Sequence, residues 1–273
     1  MSELKPEEVE RHFVQLAELE KEFDRVDVEI LRETTIKQSP LYEKRNAITS
    51  AIPGFWPHVF EDASSALRFD EHITPEDAEV LAHLTELNVT RPHAEKGDPR
   101  DIEFTFKFKD NDYMPAQTLV KLFTYQEGGK PGLTGLISTP IEIQWKGTKD
   151  LTFGVNKAAV EAFEERKAKA ADKEKKKGGL GDKEKSLLEL LNKNSQSFFI
   201  WFSYAGAHHG LGEKEGEIED MDDEEEDAIT GPVEAFPYGD ELAIQLAEDV
   251  YPAAVKYFST CSVPSGEVSE CCC

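Results

Sequence analysis

The sequence is poor in cysteine, in basic residues relative to acidic ones, and in long apolar runs. None of its four cysteines precedes Cys261, and the other three are the last residues, 271–273. This pattern excludes a disulfide framework or a CxxC metal pair in the body of the chain. No apolar run reaches the length of a membrane span, and the start, MSELKPEEVE, lacks the apolar core of a signal peptide. We therefore expect an intracellular protein without membrane contact.

Motifs of common catalytic sites are also missing. There is no HExxH zinc motif and no serine nucleophile elbow, and the glycine-rich GGKPGLTG is not a phosphate-binding loop. His208 and His209 are adjacent in a glycine-rich stretch, where histidines are more often surface residues than ligands. We expect no enzyme activity, no cofactor and no bound metal.

Acidic charge dominates the residues that are present. The chain has 55 Asp and Glu against 31 Lys and Arg, a formal net charge of -24, and should attract polycationic partners. The stretch 213–227 holds eleven acidic residues and one lysine, and should be an extended, solvated loop because like charges at this density resist packing. The stretch 166–185 is basic and indicates a flexible linker, with a nuclear import signal at KEKKK as the alternative.

The longest helical pattern covers residues 6–52. Apolar side chains spaced by three or four residues form one stripe of this helix, which we call the seam. The seam comprises Val9, Phe13, Leu16, Leu19, Phe23, Val26 and Ile30. A helix continuous to Ala51 would span roughly 69 Å, more than its own body needs, so a second copy is the favoured partner. At Pro40 the helix either bends or restarts with Ser39 as its cap.

The rest of the chain indicates an α+β body of 53–258 with an antiparallel sheet covered by helices. Alternating apolar and polar residues predict the strands, and periodicity with capping residues predicts the helices. The predicted strands are 101–109, 119–125 and 141–145, and the predicted helices begin at Thr74 and Asn156 and cover 186–192 and 240–258, with an interruption at Pro252. The segment 52–60 should turn the chain, with Trp56 anchoring the arm, and the apolar 197–202 should be core.

Four blocks of sequence occur in the order of a known family. They are LYEKRNAITSAIPGFWPHVF, IEIQWKGTKDLT, SFFIWF and EDVYPAAVKYF, and they resemble the nucleosome assembly protein family, most closely its SET-like branch of histone chaperones. The resemblance implies a homodimer in which two long helices pair antiparallel and each carries an earmuff-shaped α/β domain that receives core histones. Residues 1–52 would then be the dimerisation helix, 53–258 the earmuff domain, and 259–273 a disordered tail.

The resemblance also implies contact residues. In the SET-like branch, the loop after the last long strand and the segment around the second Trp-containing block are associated with contacts to histones and double-stranded DNA. The matching residues, together with the centre of the acidic run, are Thr148, Lys149, Asp150, Thr152, Ser203, Tyr204, Asp222, Asp223, Glu224, Glu225 and Glu226. Tyr204 stands where the branch usually has Asp.

The implied function is that of an acidic histone chaperone in the nucleus, with exchange with the cytoplasm left open. Such a protein binds core histones, shields them from nonspecific DNA contact, assists nucleosome assembly and disassembly, and makes weak contact with double-stranded DNA. The alternative is an adaptor or regulator of a chromatin enzyme, as a histone acetyltransferase cofactor or a phosphatase inhibitor.

Overall fold

A long helix precedes a four-stranded sheet with shorter helices, which confirms the α+β class. The computed structural model describes residues 6–67, 69–126, 135–171, 181–193, 196–204, 233–236 and 238–261. The helices are α1 (Pro6–Thr49), α2 (Phe55–Leu67), α3 (Pro75–Leu81), α4 (Val155–Ala171), α5 (Asp182–Leu191), α6 (Gly239–Gln245) and α7 (Ala254–Cys261), with 3-10 turns at Asp70–His72 and Phe198–Ser203 and a π-helical turn at Leu246–Val250. The strands are β1 (Leu84–Thr90), β2 (Ile102–Phe108), β3 (Gln117–Gln126) and β4 (Gly135–Ser138). Among the described helices, none has the length and apolarity needed to cross a membrane.

Helix α1 is one continuous helix of 44 residues that runs through Pro40, and at 1.5 Å per residue it is roughly 66 Å long. The alternative of a restart at Ser39 is therefore wrong. Pro40 has no N–H to donate to the carbonyl of Ile36, four residues earlier. Because Ile36 is 44% exposed, water can reach this turn and donate to that carbonyl instead. The helix ends at Thr49 rather than at the predicted Ile52.

The C-terminal half of α1 packs against the body. Arg32 Nη2 donates to the Gly97 carbonyl (3.1 Å), and Arg45 Nη1 donates to the Tyr251 carbonyl (2.6 Å). The Arg45 guanidinium also lies 4.3 Å from the Tyr251 ring centroid, close enough for a cation–π contact. Residues 10–27 are exposed without exception. The arm is thus attached at one end and projects beyond the body at the other.

The strands lie in the order β1-β2-β3-β4, each antiparallel to its neighbour. β2 and β3 confirm the first two predicted strands, and the alternate residues Ile102, Phe104, Phe106 and Phe108 are buried as the pattern predicts. β1 and β4 lie where no strand is predicted. The helix that follows Thr74 ends at Leu81, and Leu84 begins β1 opposite Phe108.

The third predicted strand, 141–145, is wrong, because its backbone finds partners outside the sheet. The Ile141 N–H donates to the Phe202 carbonyl (3.0 Å), and the Ile143 N–H donates to Asn156 Oδ1 (3.0 Å). The edge of β3 is occupied by β4 instead, with Phe123 opposite Ser138. An alternating pattern here marks an extended segment, fixed by a 3-10 turn and by a side chain of α4.

Aromatic side chains fill the core between the sheet and the helices. The predicted core segment 197–202 is confirmed as buried, but it forms a 3-10 turn. The Trp201 ring centroid lies 5.3 Å from those of Phe104 and Phe123, and Trp201 Nε1 donates to the Gly239 carbonyl (2.8 Å). Trp56 is 2% exposed, as an anchoring residue should be, but it belongs to α2 rather than to a turn.

Several predicted segments lie wholly or partly outside the described residues. The acidic stretch 213–227 and the two adjacent histidines are outside them. The basic stretch 166–185 begins within α4 and ends within α5, which leaves 172–180 as the part not described. Helix α7 extends to Cys261, so the predicted tail begins within a helix, and the interruption at Pro252 is confirmed by the turn before α7.

The start of the 3-10 turn Phe198–Ser203 is held by the carboxylate of Asp77, which is buried at 0% exposure. Thr74, where the helix is predicted to begin, forms a capping box with Asp77 at the start of α3. The same carboxylate accepts from Ser197 Oγ (2.7 Å) and from the Phe198 N–H (2.9 Å). Burial raises the pKa of Asp77, against the lowering effect of these hydrogen bonds. One side chain therefore joins two segments that are far apart in the sequence.

Replacing Asp77 by Ala should leave the donors of Thr74, Ser197 and Phe198 without their acceptor. We expect the free energy of unfolding to fall by about 3 kcal/mol, because buried donors lose their partner. Ser197→Ala removes only one of the three donors to Asp77, together with the hydroxyl that accepts from the Phe199 N–H (3.1 Å), and should cost less, about 1.5 kcal/mol. Urea denaturation followed by tryptophan fluorescence measures both. Equal, small losses would show that the carboxylate does not join these segments.

Candidate functional site

The loop of residues 147–154 lies between the extended segment 141–146 and α4. Its start is fixed by Lys146, whose N–H donates to the Tyr113 carbonyl (2.7 Å) and whose Nζ donates to the Asn111 carbonyl (2.6 Å). Gly147 follows with φ 57°, and no atom lies within 4 Å of the position that a Cβ would take there. The open position of Gly147 thus follows directly after Lys146, whose backbone and side chain are both hydrogen-bonded.

Asp150 organises the second half of the loop through its carboxylate. Oδ1 accepts from the Thr152 N–H (2.8 Å) and from Thr152 Oγ1 (2.6 Å), and Oδ2 accepts from the Gly154 N–H (2.9 Å). Thr152 Oγ1 in turn accepts from the N–H of Asn156 in the first turn of α4 (3.2 Å). Thr152 is 0% exposed. The polar groups of both residues are therefore used to shape the loop and to begin the helix.

Ser203 and Tyr204 are buried at 2% and 4% exposure. Ser203 Oγ accepts from Asn156 Nδ2 (3.1 Å). The ring of Tyr204 covers Gly239, where an added Cβ would lie only 2.5 Å from a ring carbon. Burial raises the pKa of the Tyr204 hydroxyl. These two side chains are too deeply buried to contact a partner in this structure, and the same is true of Thr152.

Thr148 and Lys149 are exposed, and Asp150 is partly exposed. Lys149 Nζ lies 5.3 Å from the centroid of the Tyr113 ring, within reach of a cation–π contact. Of the six predicted contact residues before the acidic run, the structure thus brings Thr148 and Lys149 to the outer surface of one loop. Asp222, Asp223, Glu224, Glu225 and Glu226 lie outside the described residues.

The segment that leads towards the acidic run is held by a lysine that the sequence pattern does not single out. Lys121 of β3 is 0% exposed, and burial lowers the pKa of its ammonium well below the usual range. Its Nζ donates to the carbonyls of Thr139 (3.2 Å), Phe202 (3.2 Å) and Tyr204 (2.8 Å). The one sign of this role in the sequence is that Lys121 occupies a place between Leu119 and Phe123 where the alternation of β3 calls for an apolar residue. Lys121 is a structural group beneath the candidate site.

The side chains of the seam are largely exposed within the single chain. Phe13, Leu16, Leu19, Phe23, Val26 and Ile30 are between 45% and 65% exposed, and Val9 is half-buried. At about 100° per residue, Leu41 and Ile48 fall on the same stripe, and they are 60% and 67% exposed. The residues of α1 that face the body lie roughly 100° away around the helix. One helix therefore carries two separate faces, one packed and one open.

Comparison with known proteins agrees with this architecture. A family model described as "Nucleosome assembly protein (NAP)" matches residues 49–260. NAP1-related protein 2 of Arabidopsis thaliana is 29% identical over 244 residues, which cover 88% of this chain and 70% of the relative. Vacuolar protein sorting-associated protein 75 of Saccharomyces cerevisiae is 26% identical over 252 residues, 90% of this chain and 77% of the relative.

Solved structures show the same fold. The crystal structure of Ccp1 superposes with a TM-score of 0.59 at 27% identity and covers 96% of this chain and 100% of its own. The crystal structure of Vps75 superposes with a TM-score of 0.61 at 22% identity and covers 93% of this chain and 99% of its own. The long N-terminal helix and the four-stranded sheet thus belong to a fold that is already known.

Alanine substitutions in the loop should distinguish Asp150, whose carboxylate holds the loop, from the exposed Lys149 by their effect on stability. Asp150→Ala removes the acceptor of three donors and should lower the free energy of unfolding by about 2 kcal/mol. Lys149→Ala, in the same loop, should change it by less than about 0.5 kcal/mol, because exposed substitutions are near neutral. Urea titration of both variants measures this difference. Equal stabilities would contradict the role given to the Asp150 carboxylate.

Proposed function

The chain belongs to the nucleosome assembly protein family, and on that basis we propose that it is a histone chaperone that acts on chromatin in the nucleus. The observation that carries the proposal is the match of the family model over residues 49–260, which includes the whole body 53–258. The chaperone would bind core histones, shield them from nonspecific contact with DNA, and release them when DNA competes. Binding and release of this kind require no catalytic group.

Charge supplies the long-range part of the proposed binding. The formal net charge of -24 attracts basic clients and orients them before contact. The acidic run 213–227 concentrates part of this charge, with eleven acidic residues and one lysine in a short stretch. Exposed charges are screened beyond roughly 8 Å at physiological ionic strength, so this share of the binding should be the most sensitive to salt.

The described loop supplies shorter contacts in this proposal. Thr148 and Lys149 are exposed and can touch a client directly. Asp150, Thr152 and Ser203 act indirectly, since their polar groups hold the loop and the beginning of α4 in place. Weak contact with double-stranded DNA would use the same loop, where Lys149 is the exposed cation.

Dimerisation through α1 is the second part of the proposal. The seam is exposed and lies on a different face of the helix from the residues that pack on the body. Exposed Leu41 and Ile48 extend the seam along nearly the whole helix, so an antiparallel mate can lie along it without displacing the body. The mate would bury the large apolar side chains that a single chain leaves in water.

Salt dependence tests the chaperone proposal and the acidic run together. We expect the wild-type protein to bind core histones at physiological salt, with an affinity that falls as salt rises. Changing the eleven acidic residues of 213–227 to Gln and Asn keeps the length of the stretch and should flatten this dependence. Fluorescence titration with each labelled pair of core histones, at several salt concentrations, measures it.

An unchanged salt dependence would reduce the acidic run to a spacer. Failure of the wild-type protein to bind any core histone would reject the chaperone proposal. Binding of a histone acetyltransferase or a phosphatase in that case would favour the adaptor alternative.

Charged residues in the seam should separate the two copies. Phe23→Glu with Val26→Glu places carboxylates where the mate would pack, and burying an unpaired charge is costly. We expect this double variant to be monomeric by light scattering at concentrations where the wild type is dimeric. Val14→Glu with Ala17→Glu adds the same charge on the face away from the seam and should leave the dimer intact. A dimer that persists in the seam variant would show that another surface holds the copies together.

A further inference from the structure

Phe153 is an exposed aromatic residue in an uncommon backbone conformation. Its side chain is 64% exposed, and its φ of 51° lies in the left-handed region. Among the described residues, Tyr238 is the other non-glycine residue with a positive φ. Left-handed backbone is unfavourable for a residue with a Cβ, and glycine or asparagine normally occupies it. An aromatic side chain that is mostly in water contributes little packing that would offset the strain.

The loop leaves Phe153 little freedom to relax. Its N–H donates to the Asp150 carbonyl (3.2 Å), and the next residue, Gly154, is tied by its own N–H to the Asp150 carboxylate (2.9 Å) with φ at 88°. The backbone on both sides of the aromatic side chain is therefore held by one aspartate. Strain that the surroundings impose in this way is a recurrent feature of functional sites.

The position of Phe153 relates it to the candidate site. It follows Lys149 by four residues on the same loop. On the other side, a Cβ at Gly154 would lie 3.9 Å from Leu190 Cδ1 at the end of α5. The loop thus carries an exposed aromatic side chain and an exposed lysine four residues apart, and the residue after the aromatic one lies near the end of α5.

We propose that Phe153 is a direct contact residue for the basic client, with its ring packing on an apolar part of the histone surface. This inference rests on the proposed function. The formal net charge of -24 attracts a cationic histone to the molecule and repels a DNA duplex, which leaves DNA only a weak contact. A second copy of this chain is already assigned to the seam of α1, so the histone is the occupant that we assign to the ring. Attraction brings the client near, and the ring adds a contact that salt does not screen.

Three substitutions separate a contact role from a structural one. Phe153→Gly relieves the strain and removes the ring, so we expect the melting temperature to rise by about 2 to 4 °C. The same change should weaken histone binding about tenfold, as loss of an aromatic anchor does. Phe153→Leu keeps an apolar side chain and the strain, so it should hold affinity within about threefold of the wild type without a gain in melting temperature. Tyr238→Gly relieves the same kind of strain elsewhere and should raise the melting temperature with unchanged affinity.

Differential scanning fluorimetry and histone titration of the full chain measure both quantities. If Phe153→Gly binds histones as the wild type does, the inference fails while the chaperone proposal stands. If its melting temperature and affinity fall together, the ring has a structural role and the inference also fails. If its affinity falls for a DNA duplex and not for histones, the client is wrongly assigned. A wild type that binds no histone would reject the proposed function itself.

Discussion

The body of this protein depends on satisfying the polar backbone of the 3-10 turn Phe198–Ser203 inside an apolar core. The turn is almost completely buried, so its donors and acceptors must find partners within the protein. Asp77 of α3 accepts at its start, and Lys121 of β3 donates at its end. Asn156 of α4 contacts Ser203, and Trp201 donates to Gly239 of α6. Four elements are thereby bonded to six residues, and the relative positions of sheet and helices follow from them.

Features that depend on neighbouring residues could be predicted from the sequence, and features that depend on distant partners could not. The arm, the strand β2 and the capping box at Thr74 are set by periodicity and by contacts within one turn. The segment 141–145 has the alternation of a strand, but Asn156 and the 3-10 turn take its hydrogen bonds. Pairing of β4 with β3 likewise depends on partners that no local pattern identifies.

The candidate site could be located from the sequence, but the direction of its side chains could not. The resemblance identifies the loop, and the exposed Thr148 and Lys149 lie on it. It does not distinguish them from Thr152 and Ser203, whose hydroxyls bond inside the protein. Hydroxyl-bearing residues serve equally well as caps and as surface contacts. Only the fold decides between these uses, and only the fold shows that the ring of Phe153 is exposed.

The projecting half of α1 has a consequence for the behaviour of the protein on dilution. Residues 10–27 are exposed, and an ion pair such as that of Lys21 with Glu18 (3.4 Å) is a surface pair worth less than about 1 kcal/mol. A helix without tertiary packing is marginal in water. The order of this segment must then follow mass action: the helix frays towards Arg32 when copies are scarce and extends when a mate covers it. The helical content of the chain, and with it the susceptibility of the arm to proteases, becomes a function of protein concentration.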